Sequence, residues 1–379
     1  MYQIKGKIDS NNAGDFEKEI MAVMPKEIDA SELNYISSAG LRILMKLRKA
    51  VGEVTISKVS SEVYEIFDVT GFTQLITVNK RLREITVDDT QLLGAGANGR
   101  VYRIDPERIV KVYNSVSNPP EKIKREQASA RQAFIHGIPS AIPFDIVKVG
   151  NELGMIYELI NAQTLGQAVH REPHRLEEYA LKMSSLLKQL HSTEIEKGIM
   201  PDARDTLKVW ADIAANSDYF RKDDIQKVYE LINSIPFRNT IIHGDYHPGN
   251  IMVSDDELIL IDMGDVSLGH PIIDLLGIYQ LMSLIPKRNE KAAMRYTGMT
   301  TDEVIRMWNI FIRDYIGTNE KKVIEEFERS LKCYALIRSI GGMTFSDVIP
   351  DEKRRNFSAY IMKEFLTSYE KSNFLTTML

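Results

Sequence analysis

Apolar positions in the first eighty residues alternate between two periods. Tyr2 to Ile8 reads with period two and predicts a strand; Ala13 to Val23 reads as a helix. From Leu41 to Val51 the residues Ile43, Leu44, Leu47, Ala50 and Val51 gather on one side of a helix. A β-branched run, Val54 to Val59, predicts another strand. Glu62 to Val69 predicts a short helix stopped near Gly71, and Gln74 to Val78 a further strand. Between the first helix and Leu41, the segment from Ile28 reads as a strand end, a polar turn and a helix start, with Pro25 leaving that strand short. Alternating strand and helix implies a layered α/β domain.

The pattern changes near residue 80. Lys80 to Asp89 is charged and suits either a linker or the first strand of a second domain. Gln91 to Val112 predicts a hairpin with a Gly-rich turn, Glu121 to His136 a charged helix, and Ile146 to Leu159 two strands around Gly150-Asn151. Beyond Leu165 the periodicity is mostly helical, except for short apolar runs between Thr240 and Ile261. The predicted organisation is an α/β domain over 1–82 followed by a bilobal α+β domain over 83–379, with a sheet-rich lobe at about 83–160 and a helical lobe at about 161–379.

Composition narrows the function classes. Of 379 residues, 44% are apolar and 27% charged, with net charge -5, which suits a soluble globular chain and argues against nucleic-acid or anionic-membrane binding. Basic clusters such as Lys46-Leu47-Arg48-Lys49 fit solvated helix faces. Cys333 is the single cysteine, so no intrachain disulfide forms, and its apolar helical setting predicts a buried thiol. Ile272 to Ile285, the most apolar segment, is too short to span a membrane, and no signal peptide is evident; a cytoplasmic location is expected.

The chemistry lies in His243-Gly244-Asp245-Tyr246-His247-Pro248-Gly249-Asn250 and, from Ile261, Ile-Asp-Met-Gly-Asp. Moving a phosphoryl group from ATP to a hydroxyl requires a carboxylate to orient the attacking oxygen and an amide with a second carboxylate to hold Mg²⁺. Asp245, Asn250 and Asp262 supply that set, and His243 reads as a brace for the loop. Upstream, Gly94, Gly96 and Gly99 form G-x-G-x-x-G followed by a strand rather than a helix, which excludes a dinucleotide fingerprint. Val110-Lys111-Val112 aims a lysine toward the phosphates, and Glu126, with Glu121 as competitor, is its candidate partner. Met155 to Ile160, including Glu158, is expected to cross between the lobes and meet the adenine edge.

These motifs, from about residue 86 onward, resemble the aminoglycoside phosphotransferase and choline kinase-like branch of the kinase superfamily. The resemblance implies Asp245 as catalytic base, Asn250 and Asp262 as Mg²⁺ ligands, Lys111 as the phosphate-binding lysine, and Asp274 of Pro271-Ile272-Ile273-Asp274-Leu275 as structural. Asn161-Ala162 stands where that family often has Gly. The short interval from Asp262 to Asp274 leaves no long peptide-binding loop and favours a small hydroxyl acceptor. Scattered acids such as Asp265 and Glu364 do not define a pocket for cationic acceptors.

Gly6-Lys7-Ile8-Asp9, the Ile28 to Arg42 segment and Phe67 to Phe72 make residues 1 to 80 similar to STAS domains, the anti-sigma factor antagonist modules of bacterial partner switching. Ser37 or Ser38 reads from position as a helix cap or, because a helix N-terminus tolerates negative charge, as a phosphosite. The resemblance selects Ser38, with an anti-sigma-type protein as partner, although Ser37 stands where antagonists often carry Asp. Two readings follow: a Mg²⁺-ATP phosphotransferase acting on a small hydroxyl compound under a regulatory domain, or a signalling protein whose kinase-like domain modifies Ser38 or a partner, or serves as an ATP-binding scaffold.

Overall fold

The structure is a computed structural model and describes residues 1–96, 99–115, 118–287, 290–344 and 351–371; Ala97 and Asn98 of the Gly-rich turn lie outside them. The chain divides into two compact units, Met1–Thr86 with Ile146–Gly154, and Val87–Asp145 with Met155–Leu379.

In the first unit the elements are β1 (Tyr2–Ile8), α1 (Ala13–Val23), β2 (Glu27–Ile36), α2 (Ser38–Val51), β3 (Thr55–Val59), α3 (Ser61–Val69), β4 (Thr77–Lys80) and β5 (Arg83–Ile85). The first four strands form a parallel sheet in the order β1-β2-β3-β4. Ile4, Ile28, Leu33, Leu44, Ile56 and Phe67 are central to its core. The α2 helix starts where the Ser37 hydroxyl accepts from the Gly40 amide and stops at Gly52, with Arg48 and Lys49 in its last turn complementing the dipole. Its buried side is Leu41, Ile43, Leu44 and Leu47; Ala50 is exposed, contrary to the expected apolar side.

Two expectations need correction. The segment read as a polar turn is strand: β2 runs ten residues, Glu27–Ile36, although only its first two precede Asp29, as short there as expected. Ile28, Ala30, Leu33 and Ile36 are buried along it, and irregular pairing with β1 between Gln3 and Lys5 breaks the strict alternation that sequence reading relies on. The strand expected from Gln74 begins only at Thr77, because Phe72–Gln74 closes into a 3₁₀ turn that buries Phe72 against Phe67.

The second unit carries β6 (Leu92–Gly96), β7 (Gly99–Arg103), β8 (Arg108–Tyr113) and α4 (Pro120–Ile135); β9 (Pro143–Val149) and β10 (Glu152–Glu158) belong to it only in part, since Ile146–Gly154 groups with the first unit. Then follow β11 (Gln163–Thr164), α5 (Leu165–Arg171), α6 (Leu176–Ser192), α7 (Ala203–Ala215), α8 (Lys222–Ser234), β12 (Ile241–Ile242), β13 (Ile251–Ser254), β14 (Glu257–Leu260) and β15 (Ser267–Leu268). The chain ends in α9 (Ile272–Tyr279), α10 (Glu290–Thr297), α11 (Thr301–Ile316), α12 (Lys321–Thr344) and α13 (Asp351–Lys371). A six-stranded sheet has the order β5-β9-β10-β8-β7-β6. The charged segment after Lys80 therefore contains a strand, and its parallel pairing with Val147–Val149 is why β5 and the β9–β10 turn fall together in the first unit. The helices enclose a core that includes Tyr179, Trp308, Phe311, Tyr334 and Phe365. Every residue of α9 is buried, and Cys333 is fully buried in α12. Among the described residues no helix is long and apolar enough to cross a membrane.

Candidate active site

Strand alternation aims Lys111. Its neighbours Val110 and Val112 on β8 are buried, and the lysine points the other way, into a cavity of about 550 Å³. There Nζ donates to Glu126 Oε1 at 3.0 Å and to Asp262 Oδ1 at 2.7 Å. The Tyr157 hydroxyl also donates to Glu126 Oε1, at 2.8 Å. Glu121, the competing partner, pairs instead with Lys124 one helical turn away. Burial works against the Lys111 charge, but Asp262 and Glu126 overcome it and hold its pKa above the ordinary lysine value. Burial, reinforced by Glu126, likewise pushes the Tyr157 hydroxyl well up, so it stays a proton donor.

The loop between β12 and β13 carries Asp245. His243 is fully buried; its Nδ1 accepts from the Asp245 amide at 3.3 Å and its Nε2 faces the Ile261 carbonyl at 3.2 Å, which places the ring proton on Nε2. Asp274 accepts from the His243 and Gly244 amides at 2.9 and 2.7 Å and meets His191 Nε2 at 3.0 Å. These bonds fasten the turn that presents Asp245. Asn250 Nδ2 donates to the Asp245 carbonyl at 3.0 Å and to Oδ2 at 3.1 Å. Asp262 adopts φ +57°, sparsely populated for a residue with a Cβ, as functional positions often do.

Of the expected nucleotide-site residues, Gly94, Lys111 and Glu158 line the cavity with Asn250 and Asp262. Three do not. Met155 is fully buried two residues upstream of Tyr157 and is absent from the wall, which runs from Tyr157 through Ala162. Gly96 lies off the wall, and Gly99 serves the hairpin: a Cβ there would stand 2.0 Å from the Val112 carbonyl oxygen. Glu158 is on the wall, and its Oε1 accepts from the Ile142 amide at 2.9 Å.

Comparison with known proteins fits this geometry. The pattern of the phosphotransferase enzyme family matches residues 89–300. The chain belongs to that family. The phosphotransferase carries a STAS domain over residues 1–85. That segment is 33% identical over 84 residues to a Bordetella bronchiseptica protein named as an anti-sigma factor antagonist, BtrV, covering 20% of this chain and 72% of that one. The fold is similar to that of the ADP-bound aminoglycoside phosphotransferase APH(2'')-Ib, with TM-score 0.52 and 15% identity, covering 82% of this chain and 99% of that one. An amicoumacin kinase, hAmiN, aligns with TM-score 0.49 and 17% identity over 81% and 95% of the two chains.

One residue of the phosphotransferase site has no signal in the local sequence. Arg338 of α12 donates through Nη2 to Asp245 Oδ1 from 93 positions away. Burial alone would raise the Asp245 pKa; His247, 3.6 Å from Oδ2, and Arg338 outweigh it and hold the carboxyl far below the usual range. Asp265 shifts the opposite way, raised by loss of surrounding water and by Asp245 and Asp262.

Proposed function

We propose that this phosphotransferase moves the γ-phosphoryl group of ATP to a hydroxyl of a small molecule. The observation that carries the reading is the convergence of Lys111, Asn250 and Asp262 on one cavity, with Asn250 also bonded to Asp245. The acceptor oxygen forms a bond to the γ-phosphorus as the bridging bond to the β-phosphate breaks; the hydroxyl proton passes to Asp245 and ADP leaves. His247 and Arg338 favour the carboxylate form of Asp245, which can accept the hydrogen bond of the hydroxyl and orient the attacking oxygen, the proton passing as the bond to phosphorus forms. Lys111, fixed by Glu126, neutralises phosphate charge, and the main chain from Glu158 to Ala162 forms the adenine edge.

The donor set suits Mg²⁺. Asn250 Oδ1 and Asp262 Oδ2 are hard oxygen donors without a hydrogen-bond partner among the described residues, and two protein ligands match an ion that keeps waters and phosphate oxygens in its shell. When bound, the ion would neutralise charge on the phosphates. Asp245→Asn is expected to keep nucleotide affinity in calorimetry and to lose about 10²–10⁴-fold in transfer rate. Unaltered transfer by this variant would refute the assignment.

A second reading, self-directed transfer under the regulatory STAS domain, rests on Ser38. It is exposed at the start of α2, while Ser37 takes the cap, so the Ser38 hydroxyl is free for modification next to a helix dipole. Intact mass after incubation with Mg²⁺-ATP separates the readings: a phosphate on Ser38 of wild type and not of Asp245→Asn supports self-modification, and an unchanged mass supports a diffusible acceptor.

A further inference from the structure

Beside Asp245 a small recess opens, separate from the cavity that Lys111 faces. Thr206 and Trp210 of α7, Gly244, Asp265, Ser267 and Arg338 are on its wall. It adjoins the carboxylate that receives the hydroxyl proton, which is where an acceptor must place its oxygen. Arg338 is the one basic side chain among the described residues lining it.

The arginine is held rather than loose. It reaches Asp245 with one nitrogen, and its Cζ lies 6.0 Å from the centre of the Trp210 ring. Its Nη1 fills the space a side chain would take at Gly277, where a Cβ would stand 2.4 Å away. Only Nη2 has a hydrogen-bond acceptor among the described residues; Nε and Nη1 have none, and the side chain is 23% exposed. Nε and the second hydrogen of Nη2 lie on one edge of the guanidinium, and such a pair of donors at the rim of the recess matches the two oxygens of a carboxylate or phosphate group.

Resting on the phosphotransferase reading above, we propose that the acceptor carries an anionic group, carboxylate or phosphate, close to the hydroxyl that is phosphorylated, and that Arg338 recognises that group. The acceptor hydroxyl takes one Asp245 oxygen while its anionic group takes the spare guanidinium donors. The Arg338–Asp245 ion pair keeps the two groups adjacent before the acceptor arrives, which fixes the spacing between hydroxyl and anion. A cationic acceptor would set like charge against Arg338. Asp265 is the single carboxylate on the recess wall, and the neighbouring Asp245 and Asp262 oppose its ionisation, so it is a weak obstacle to an anion. The other acid considered from sequence, Glu364, is paired with Lys332 at 2.6 Å.

The test measures ADP release and labelled product from Mg²⁺-ATP with D-glycerate, glycerol 3-phosphate, glycerol, choline and kanamycin. Wild type is run beside Arg338→Gln and Arg338→Lys, with nucleotide binding followed by calorimetry. The expected result is a kcat/KM for glycerate or glycerol 3-phosphate at least about tenfold above that for glycerol, with choline and kanamycin below it. In Arg338→Gln the ratio of anionic to neutral acceptor falls toward one, chiefly through KM for the anion; Arg338→Lys recovers part of it. Whichever anion leads tells carboxylate from phosphate. Preference for choline or kanamycin, an unchanged ratio in Arg338→Gln, or nucleotide binding without transfer to any anionic acceptor overturns the proposal while leaving nucleotide-dependent chemistry standing. Absence of nucleotide binding in wild type would remove the phosphotransferase reading, and this one falls with it.

Discussion

Lys111 carries two carboxylates at once, Glu126 and Asp262, in a place where its side chain is 12% exposed and that of Glu126 3%. Removing one member of such a buried set leaves the others unbalanced. Lys111→Met is therefore expected to lower unfolding free energy by about 3 kcal/mol in urea titration, and Lys111→Met with Glu126→Gln to recover part of it. Additive losses would mean that the two side chains are not coupled. At this scale the sequence was informative where spacing encodes chemistry. The interval from Lys111 to Glu126 fits a strand followed by a helix, and the structure joins the pair; Asp245 with Asn250 lies within one loop. Arg338 was illegible because nothing near Asp245 announces it: a helix interior rich in apolar residues hides one arginine that only tertiary packing brings to the loop. Met155 lies off the cavity wall for the converse reason, since an apolar strand crossing the sheet does not reveal which of its residues reaches the cavity.

Elements with clean periodicity were readable almost to the residue, as α1 and β1 demonstrate. The β2 strand was not, because its pairing with β1 slips twice and its polar residues, Ser31, Glu32 and Asn34, mimic a turn. Within this strand Asp29 makes a contact with a pH signature. Lys58 of β3, at φ +60°, places Nζ 2.6 Å from Asp29 Oδ2, and the Ser31 amide adds a second bond. With Lys58 first and Ser31 next, these bonds lower the Asp29 pKa to about 2. A depressed carboxylate stabilises above its unfolded pKa, near 4, and that contribution is lost as pH falls from about 4 to about 2. Asp29→Asn should flatten this part of the stability–pH curve, followed by circular dichroism in urea; an unchanged slope would exclude the contact as its source.

Each of the two units has its own apolar core, one around Ile28, Leu44 and Phe67, the other around Trp308, Phe311 and Phe365. Leu44→Ala removes a fully buried side chain from the first and should cost about 3 kcal/mol there. Calorimetry of the full chain is expected to show one transition moved to lower temperature while nucleotide binding to the other unit is retained. A single transition that shifts as a whole would show the two cores to be one cooperative system. The division of labour was legible from the change of periodicity near residue 80; strand β5 was legible only as one of two alternatives, linker or strand, because three charged-segment residues gain their strand character from the pairing with β9. The double contact of Lys111 has a consequence at this same scale. A kinase whose lysine–glutamate pair forms only on activation has a binding-competent fraction well below one, and its apparent affinity is reduced by that fraction. Here Lys111 meets Glu126 at 3.0 Å and Asp262 at 2.7 Å. On the proposed reading, a lysine and a glutamate already joined leave an activating event nothing to assemble at this pair, so a regulator would act on the arrival of the acceptor.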